Sequence, residues 1–348
     1  MRIDFESVSY SYADPDRQEK RKKRAQKRRE AGVIEDSPSL TAHGKADWGS
    51  EPEAVWALRD VSFSLVEGEF FGIAGHTGSG KSTLIQHMNG LVKPTRGRVL
   101  VDGVDLADKA AAAAWRGKVG LVFQYPEHQL FAPTVREDVA FGPRNMGLEG
   151  DELEQRVRHA LASAQLDVDE VGDKSPFELS GGQQRRVAFA GVLAMEPEVL
   201  VLDEPAAGLD PAARRELLGL VKSLHDTGLT VVMVSHDMDS LAAMCDRILV
   251  LNGGTTFALG TPAEVFARGE ELRAVGLDVP APHKLACELR EEGLELTGAL
   301  YDVPALADDL AALYRARTEA GGGERSAEAN GSAAHPAAGD EGDEPCGQ

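Results

Sequence analysis

The sequence predicts an α/β fold built on a parallel sheet, and three stretches carry that reading. The apolar run Phe70-Phe71-Gly72-Ile73-Ala74 leads into the glycine-rich Gly75-His76-Thr77-Gly78-Ser79-Gly80-Lys81-Ser82-Thr83, after which the pattern is helical. A second apolar run, Val199-Leu200-Val201-Leu202, ends in two carboxylates, Asp203 and Glu204. Between them, Leu179-Ser180-Gly181-Gly182-Gln183 opens a stretch with apolar residues at Val187, Ala190, Val192 and Leu193. Short, wholly apolar strands belong to sheets covered on both faces, which are parallel sheets flanked by helices.

The first loop has the spacing of a glycine, four residues and then Gly-Lys-Ser. At a strand–helix junction such a P-loop gathers backbone N–H groups and a helix N-terminus around an anion. Gly75, Gly78 and Gly80 allow backbone angles and a close approach that a Cβ would block. Lys81 adds a point charge for the outer phosphates, and the Ser82 hydroxyl can ligate Mg²⁺. The pattern predicts a nucleoside triphosphate site over residues 75–83, although P-loops serve many machines and the loop alone names no function. The apolar run ending in Asp203 and Glu204 reads as a Walker B strand. Asp203 would hold Mg²⁺ through water, and Glu204 would polarise the water that attacks the γ-phosphate. Ser180, Gly181 and Gly182 at a helix start make a second anion-seeking terminus. Ser-Gly-Gly is also ordinary loop chemistry; its position between P-loop and Walker B gives it weight.

In that order the residues resemble the ATP-binding cassette (ABC) family, over residues 1–12 and 55–260. The resemblance implies a P-loop NTPase core of RecA-like type, with an antiparallel β subdomain and an α-helical subdomain carrying the signature Leu179-Ser180-Gly181-Gly182-Gln183. It also assigns further roles. Gln124 is similar to the Q-loop glutamine, a Mg²⁺ ligand; Ala207-Gly208-Leu209-Asp210 to the D-loop; His236 to the switch histidine that bonds the γ-phosphate; and Tyr12 to the aromatic that stacks on adenine. Two cassettes are expected head to tail, each ATP lying between one chain's P-loop and Ser180, Gly181, Gly182, Gln183 and Asp210 of the other.

Within the family, the segment Gln124-Tyr125-Pro126-Glu127-His128-Gln129-Leu130-Phe131 is similar to the ATPase subunits of energy-coupling-factor importers. So are Val139-Ala140-Phe141-Gly142-Pro143-Arg144-Asn145 and Leu84-Ile85-Gln86-His87-Met88-Asn89-Gly90-Leu91. Such subunits pair, as identical or different chains, beneath a transmembrane coupling protein. That protein holds a membrane substrate-binding subunit for a vitamin or a transition-metal ion. The resemblance therefore places the chain peripherally at the cytoplasmic face of the cell membrane, with residues 125–131 lining a groove for coupling helices. One departure is visible: Pro205 is followed by Ala206 where many relatives carry threonine. The nearest alternative is an ATPase subunit of another ABC branch. A soluble ABC ATPase of translation or DNA repair is disfavoured, because there is one cassette and no heptad insertion between Gly90 and Leu179.

Composition agrees. Against 37 Lys and Arg stand 57 Asp and Glu, a formal charge of −20 over 348 residues, so phosphate repulsion disfavours bulk nucleic-acid binding. No apolar run approaches the roughly 20 residues that cross a bilayer, and Met1-Arg2-Ile3-Asp4 begins a strand instead of a signal peptide. The three cysteines, Cys245, Cys287 and Cys346, are far apart and lack metal-site spacing. A polar insertion fills residues 13–54 and holds nine Lys or Arg within residues 17–29. It reads either as a solvated insertion or as an arm for anionic lipid or nucleic acid. Residues 261–314 read as a small helical extension, with apolar spacing at Leu285, Leu289 and Leu294. Residues 315–348 are Gly-, Ala- and Glu-rich and are expected to be disordered.

Overall fold

The apolar runs occupy the middle of a sheet in the computed structural model, which describes residues 1–12, 56–297 and 300–328, with backbone only for 319–328. The basic stretch 17–29, with the rest of the insertion, and the tail after 328 lie outside the described residues. Four strands, β1 (Arg2–Tyr10), β2 (Leu58–Val66), β4 (Arg96–Val101) and β5 (Val104–Asp105), make an antiparallel sheet in the order β2-β1-β4-β5. Val61 pairs with Val8 and Leu65 with Ile3, so the chain returns beside its first strand after the insertion. The second sheet contains β3 (Phe70–Ala74), β6 (Val119–Val122), β7 (Val199–Asp203), β8 (Thr230–Val234), β9 (Arg247–Asn252) and β10 (Thr255–Gly260). Its order is β10-β9-β3-β8-β7-β6, parallel throughout except for the edge strand β10. Every residue of β3 and β8 is buried, as both-face coverage requires.

The helices follow in chain order: α1 (Lys81–Met88), α2 (Lys109–Arg116), α3 (Val135–Asn145), α4 (Gly150–Ser163), α5 (Val168–Val171), α6 (Gly181–Leu193), α7 (Pro211–Asp226) and α8 (Met238–Met244). Two apolar cores result. One joins the sheets through the stacked rings of Phe5, Phe63 and Phe71, with centroids 4.5 and 5.3 Å apart in sequence. The other gathers Val135, Val139, Leu161, Val187 and Ala190 from α3, α4 and α6, which is the helical subdomain that carries the signature.

Two boundaries differ from the sequence reading. α9 (Pro262–Phe266) and α10 (Gly269–Ala274) belong to the first compact unit, Met1–Pro280, and the second begins at Ala281 instead of 261. The reason is burial: Val265, Phe266 and Leu272 are each 1% exposed, and a capping box of Thr261 and Glu264 starts α9. The second unit holds α11 (Ala281–Glu291) and α12 (Val303–Glu328) around Ala286, Leu296, Leu300 and Leu306. Leu289 and Leu294 pack there, whereas Leu285 is exposed. α12 runs on to Glu328, past residue 314 where composition predicts that order ends. Its Ala, Arg and Glu residues favour helix, against the three glycines at 321–323.

Candidate nucleotide-hydrolysis site

The P-loop leaves β3 at Ala74 and closes on α1. A Cβ at Gly75 would stand 2.4 Å from Ser79 Oγ and 2.6 Å from the Leu251 carbonyl oxygen, and one at Gly80 would stand 2.4 Å from the Ala57 carbonyl oxygen. Both glycines are therefore required by this chain's own packing. Gly78, at φ +82°, faces open space. α1 begins after Gly80 with no side chain capping its first N–H groups, and the Ser79 hydroxyl is buried without a hydrogen-bond partner. Such a cradle of unpaired donors fits phosphate. Lys81 Nζ spans the loop, donating to the carbonyls of Gly75 (2.6 Å) and His76 (3.0 Å). Burial pushes the Lys81 pKa down against the pull of Glu204 and Asp203. Burial, with Glu204 beside it, raises that of Asp203 against the pull of Lys81. Those mutual effects put the P-loop lysine and the two strand-end carboxylates in one electrostatic cluster.

Tyr12, 68% exposed, lies beside the same helix, its hydroxyl 2.9 Å from Thr83 Oγ1. Tyr10 meets its ring edge-on at 5.0 Å. The remaining donor, Ser82, is exposed in the first turn of α1. Ser82, Gln124 and Asp203 offer a hydroxyl, an amide and a carboxylate, the oxygen donors that suit Mg²⁺.

At the opposite edge, Glu204 follows β7 with φ +49°, a left-handed conformation unusual for a residue with a Cβ. Its N–H donates to the Val234 carbonyl, and its Oε2 lies 2.8 Å from His236 Nδ1. Glu204 is mostly buried and the His236 side chain 75% exposed, so the pair sits at a mouth. Gln124, Glu204, Gly208 and His236 line one cleft of about 370 Å³. Asp210 stands apart as the N-cap of α7, accepting from the N–H groups of Ala212 and Ala213, and those bonds hold its carboxyl below the usual range.

The signature is built differently. Ser180 caps α6, and Gln183 Oε1 returns to the Ser180 N–H at 3.1 Å, a capping box. Gly181 and Gly182 are exposed, have no positive φ, and a Cβ on either would meet nothing within 4 Å. Nothing in their own chain demands glycine.

Four residues escaped the sequence reading. Asn252 Oδ1 lies 3.1 Å from His76 Nε2, and the Ala57 and Leu251 carbonyls back the P-loop. Asn252-Gly253-Gly254 does signal a turn, without saying what the turn faces. Arg185, two residues past the signature, is 4% exposed and donates four hydrogen bonds to three partners.

Comparison with known proteins agrees with this arrangement. The family model described as ABC transporter matches residues 58–207. An energy-coupling factor transporter ATP-binding protein EcfA2 of Symbiobacterium thermophilum is 62% identical over 243 residues, 70% of this chain and 84% of the relative. That of Bacillus subtilis is 49% identical over 264 residues, 74% of this chain and 95% of the relative. Among solved structures, cbiO1 from Clostridium perfringens, described as part of the ABC transporter complex cbiONQ, superposes with a TM-score of 0.62 at 34% identity, covering 82% of this chain and 98% of that one. The cassette MJ0796, in a dimeric post-hydrolysis state bound to ADP and Pi, gives a TM-score of 0.57 at 28% identity, covering 75% and 98%. A phosphate cradle and a strand-end carboxylate pair on one sheet, with an outward signature on the helical subdomain, thus coincide with relatives matched over most of their length, and the chain belongs to the ABC transporter ATPases, among the energy-coupling factor transporter ATP-binding proteins.

Proposed function

We propose that the chain hydrolyses Mg-ATP between two cassettes and so powers a membrane transporter of the energy-coupling-factor type. The observation that carries the hydrolytic reading is the 2.8 Å contact of Glu204 with His236 at the mouth of the cleft. It puts a base and the group that orients it where a water can approach.

The P-loop amides and Lys81 hold the phosphates, with Tyr12 as the platform for adenine. On binding, Lys81 exchanges the Gly75 and His76 carbonyls for phosphate oxygens. Ser82, Gln124 and, through water, Asp203 would hold Mg²⁺, which neutralises charge on the phosphate oxygens. Glu204 takes the proton of the attacking water, and His236 beside it bonds the γ-phosphate. The second cassette presents Ser180, Gly181, Gly182 and Gln183, with Asp210 nearby, so each site is finished by its neighbour. Positioning and electrostatics account for most of the rate.

The partners in this reading are a second cassette, a transmembrane coupling protein docking near residues 125–131, and a membrane subunit that binds a vitamin or a transition-metal ion. The chain works peripherally at the cytoplasmic face; no helix among the described residues is long and apolar enough to cross a membrane. Affinity purification of the tagged chain from detergent-solubilised membranes, with mass spectrometry, tests this. A second cassette, a coupling protein and small substrate-binding membrane proteins are expected in stoichiometric amounts. Recovery of ribosomal or DNA-repair proteins in their place would refute it.

A further inference from the structure

Arg185 lies in the second turn of the signature helix α6 and is directed inward, where its guanidinium joins three segments distant in sequence. Nε and Nη2 form a two-pronged pair with the Glu127 carboxylate at 3.0 and 2.9 Å. Nη1 donates to the carbonyls of Pro205 (3.3 Å) and Ala207 (3.2 Å), in the loop directly after Glu204. The Tyr125 ring centroid lies 6.0 Å from Cζ, at the outer limit of cation–π range. A Cβ on Gly208 would come within 3.2 Å of that same ring.

The two segments that Arg185 ties together share an unusual backbone. Tyr125 has φ +57° and Glu204 has φ +49°, both left-handed without being glycine. Such residues persist only where surrounding contacts over-determine them. Arg185 supplies those contacts on both sides at once, through Glu127 for the first and through the Pro205 and Ala207 carbonyls for the second. Burial works to raise the Glu127 pKa, and the hydrogen bonds and charge of Arg185 outweigh it and hold the carboxyl below its usual value. Arg185 donates four hydrogen bonds and both Glu127 carboxylate oxygens accept one, the kind of geometry under which a buried ion pair is tolerated.

We propose that Arg185 is a positioning residue for hydrolysis: its planar fork fixes the loop 205–208, and through it Glu204, relative to the docking segment 125–131. A movement of that segment then reaches Glu204 through one rigid group, and the signature helix that faces the partner's nucleotide moves with both. The inference rests on Glu204 being the residue that activates water.

The test uses the full chain, assembled with its partner cassette, and compares three variants for kcat, KM for Mg-ATP and Tm. Arg185→Lys keeps a charge for Glu127 but cannot span both carbonyls as well. It is expected to lower kcat by roughly ten- to a hundredfold with little change in KM, the size of effect that follows from misplacing a catalytic group by about 1 Å. Arg185→Met combined with Glu127→Met removes the ion pair without leaving a buried charge, so Tm is expected near wild type while kcat stays low. A wild-type kcat in folded Arg185→Lys, or recovery of kcat together with Tm in the double variant, would overturn the proposal and leave Arg185 a packing residue. Glu204→Gln is the control. Loss of its turnover keeps the premise, whereas wild-type turnover would remove Glu204 from catalysis and the premise with it.

Discussion

The two anion-seeking ends of this chain are both glycine-rich, yet only one is complete. At the P-loop, Gly75 and Gly80 are enforced by the chain itself, because a Cβ would run into Ser79, Leu251 or Ala57. At the signature, Gly181 and Gly182 have no neighbour within 4 Å of a Cβ and no strained φ. Gly181 and Gly182 are the first two residues of α6, where alanine would meet no clash and no backbone strain. A pair of glycines that no internal contact requires therefore points outward, to something that must approach the backbone closely. The P-loop glycines answer to this chain's own packing; the signature glycines do not, and in the proposed mechanism they meet a partner's nucleotide.

Four measurements would break or sharpen that contrast. The largest effect is expected from Glu204→Gln, which removes the base and keeps the size of the side chain. Turnover should fall by about 10² to 10⁴-fold, with ATP binding retained and a long-lived closed dimer on size-exclusion chromatography. Normal hydrolysis would remove Glu204 from the mechanism. Next is Lys81→Ala, which deletes a charged donor to phosphate worth about 1.5–3 kcal/mol, so the Kd for ATP should rise roughly ten- to a hundredfold. An unchanged Kd would refute the P-loop assignment.

The third experiment sets the two glycine groups against each other. Gly75→Ala forces a left-handed residue against backbone and should destabilise by about 1–3 kcal/mol in thermal unfolding. Gly181→Ala should leave the unfolding free energy within about 0.5 kcal/mol of wild type yet slow hydrolysis by the assembled dimer. Equal losses of Tm would erase the distinction drawn here. The smallest effect is a proton. Burial lowers the Lys81 pKa from 10.5, and bound phosphate favours the charged form, which pulls the value back up. ATP binding should then take up protons in the alkaline window between the two values and none well below it. Calorimetry in buffers of different ionisation enthalpy reads this directly, and proton release there would reverse the sign.

Much of the site was legible because its parts are local. Ser180 and Gln183 cap α6 from three residues apart, and Gly78 and Lys81 act within one turn of chain. The strands β3 and β7 were legible as well, since coverage on both faces leaves a continuous apolar run. The extension was read less well. Residues 261–266 read as a short helix closing the cassette, yet only packing shows that they and Leu272 lie inside the first unit, which ends at Pro280.

The sequence on its own specified the local parts: a glycine-rich loop between a buried strand and a helix, two carboxylates at the end of another buried strand, and the order in which they come. Backbone conformation and capping over a few residues suffice for that. The tertiary structure alone decided the partnerships. Arg185 reaches Glu127 across 58 positions, Tyr12 reaches Thr83 across 71, and Glu204 reaches His236 across 32. Contacts at such separation depend on how two sheets and a helical subdomain pack together, and no local pattern of side chains encodes the distance between them.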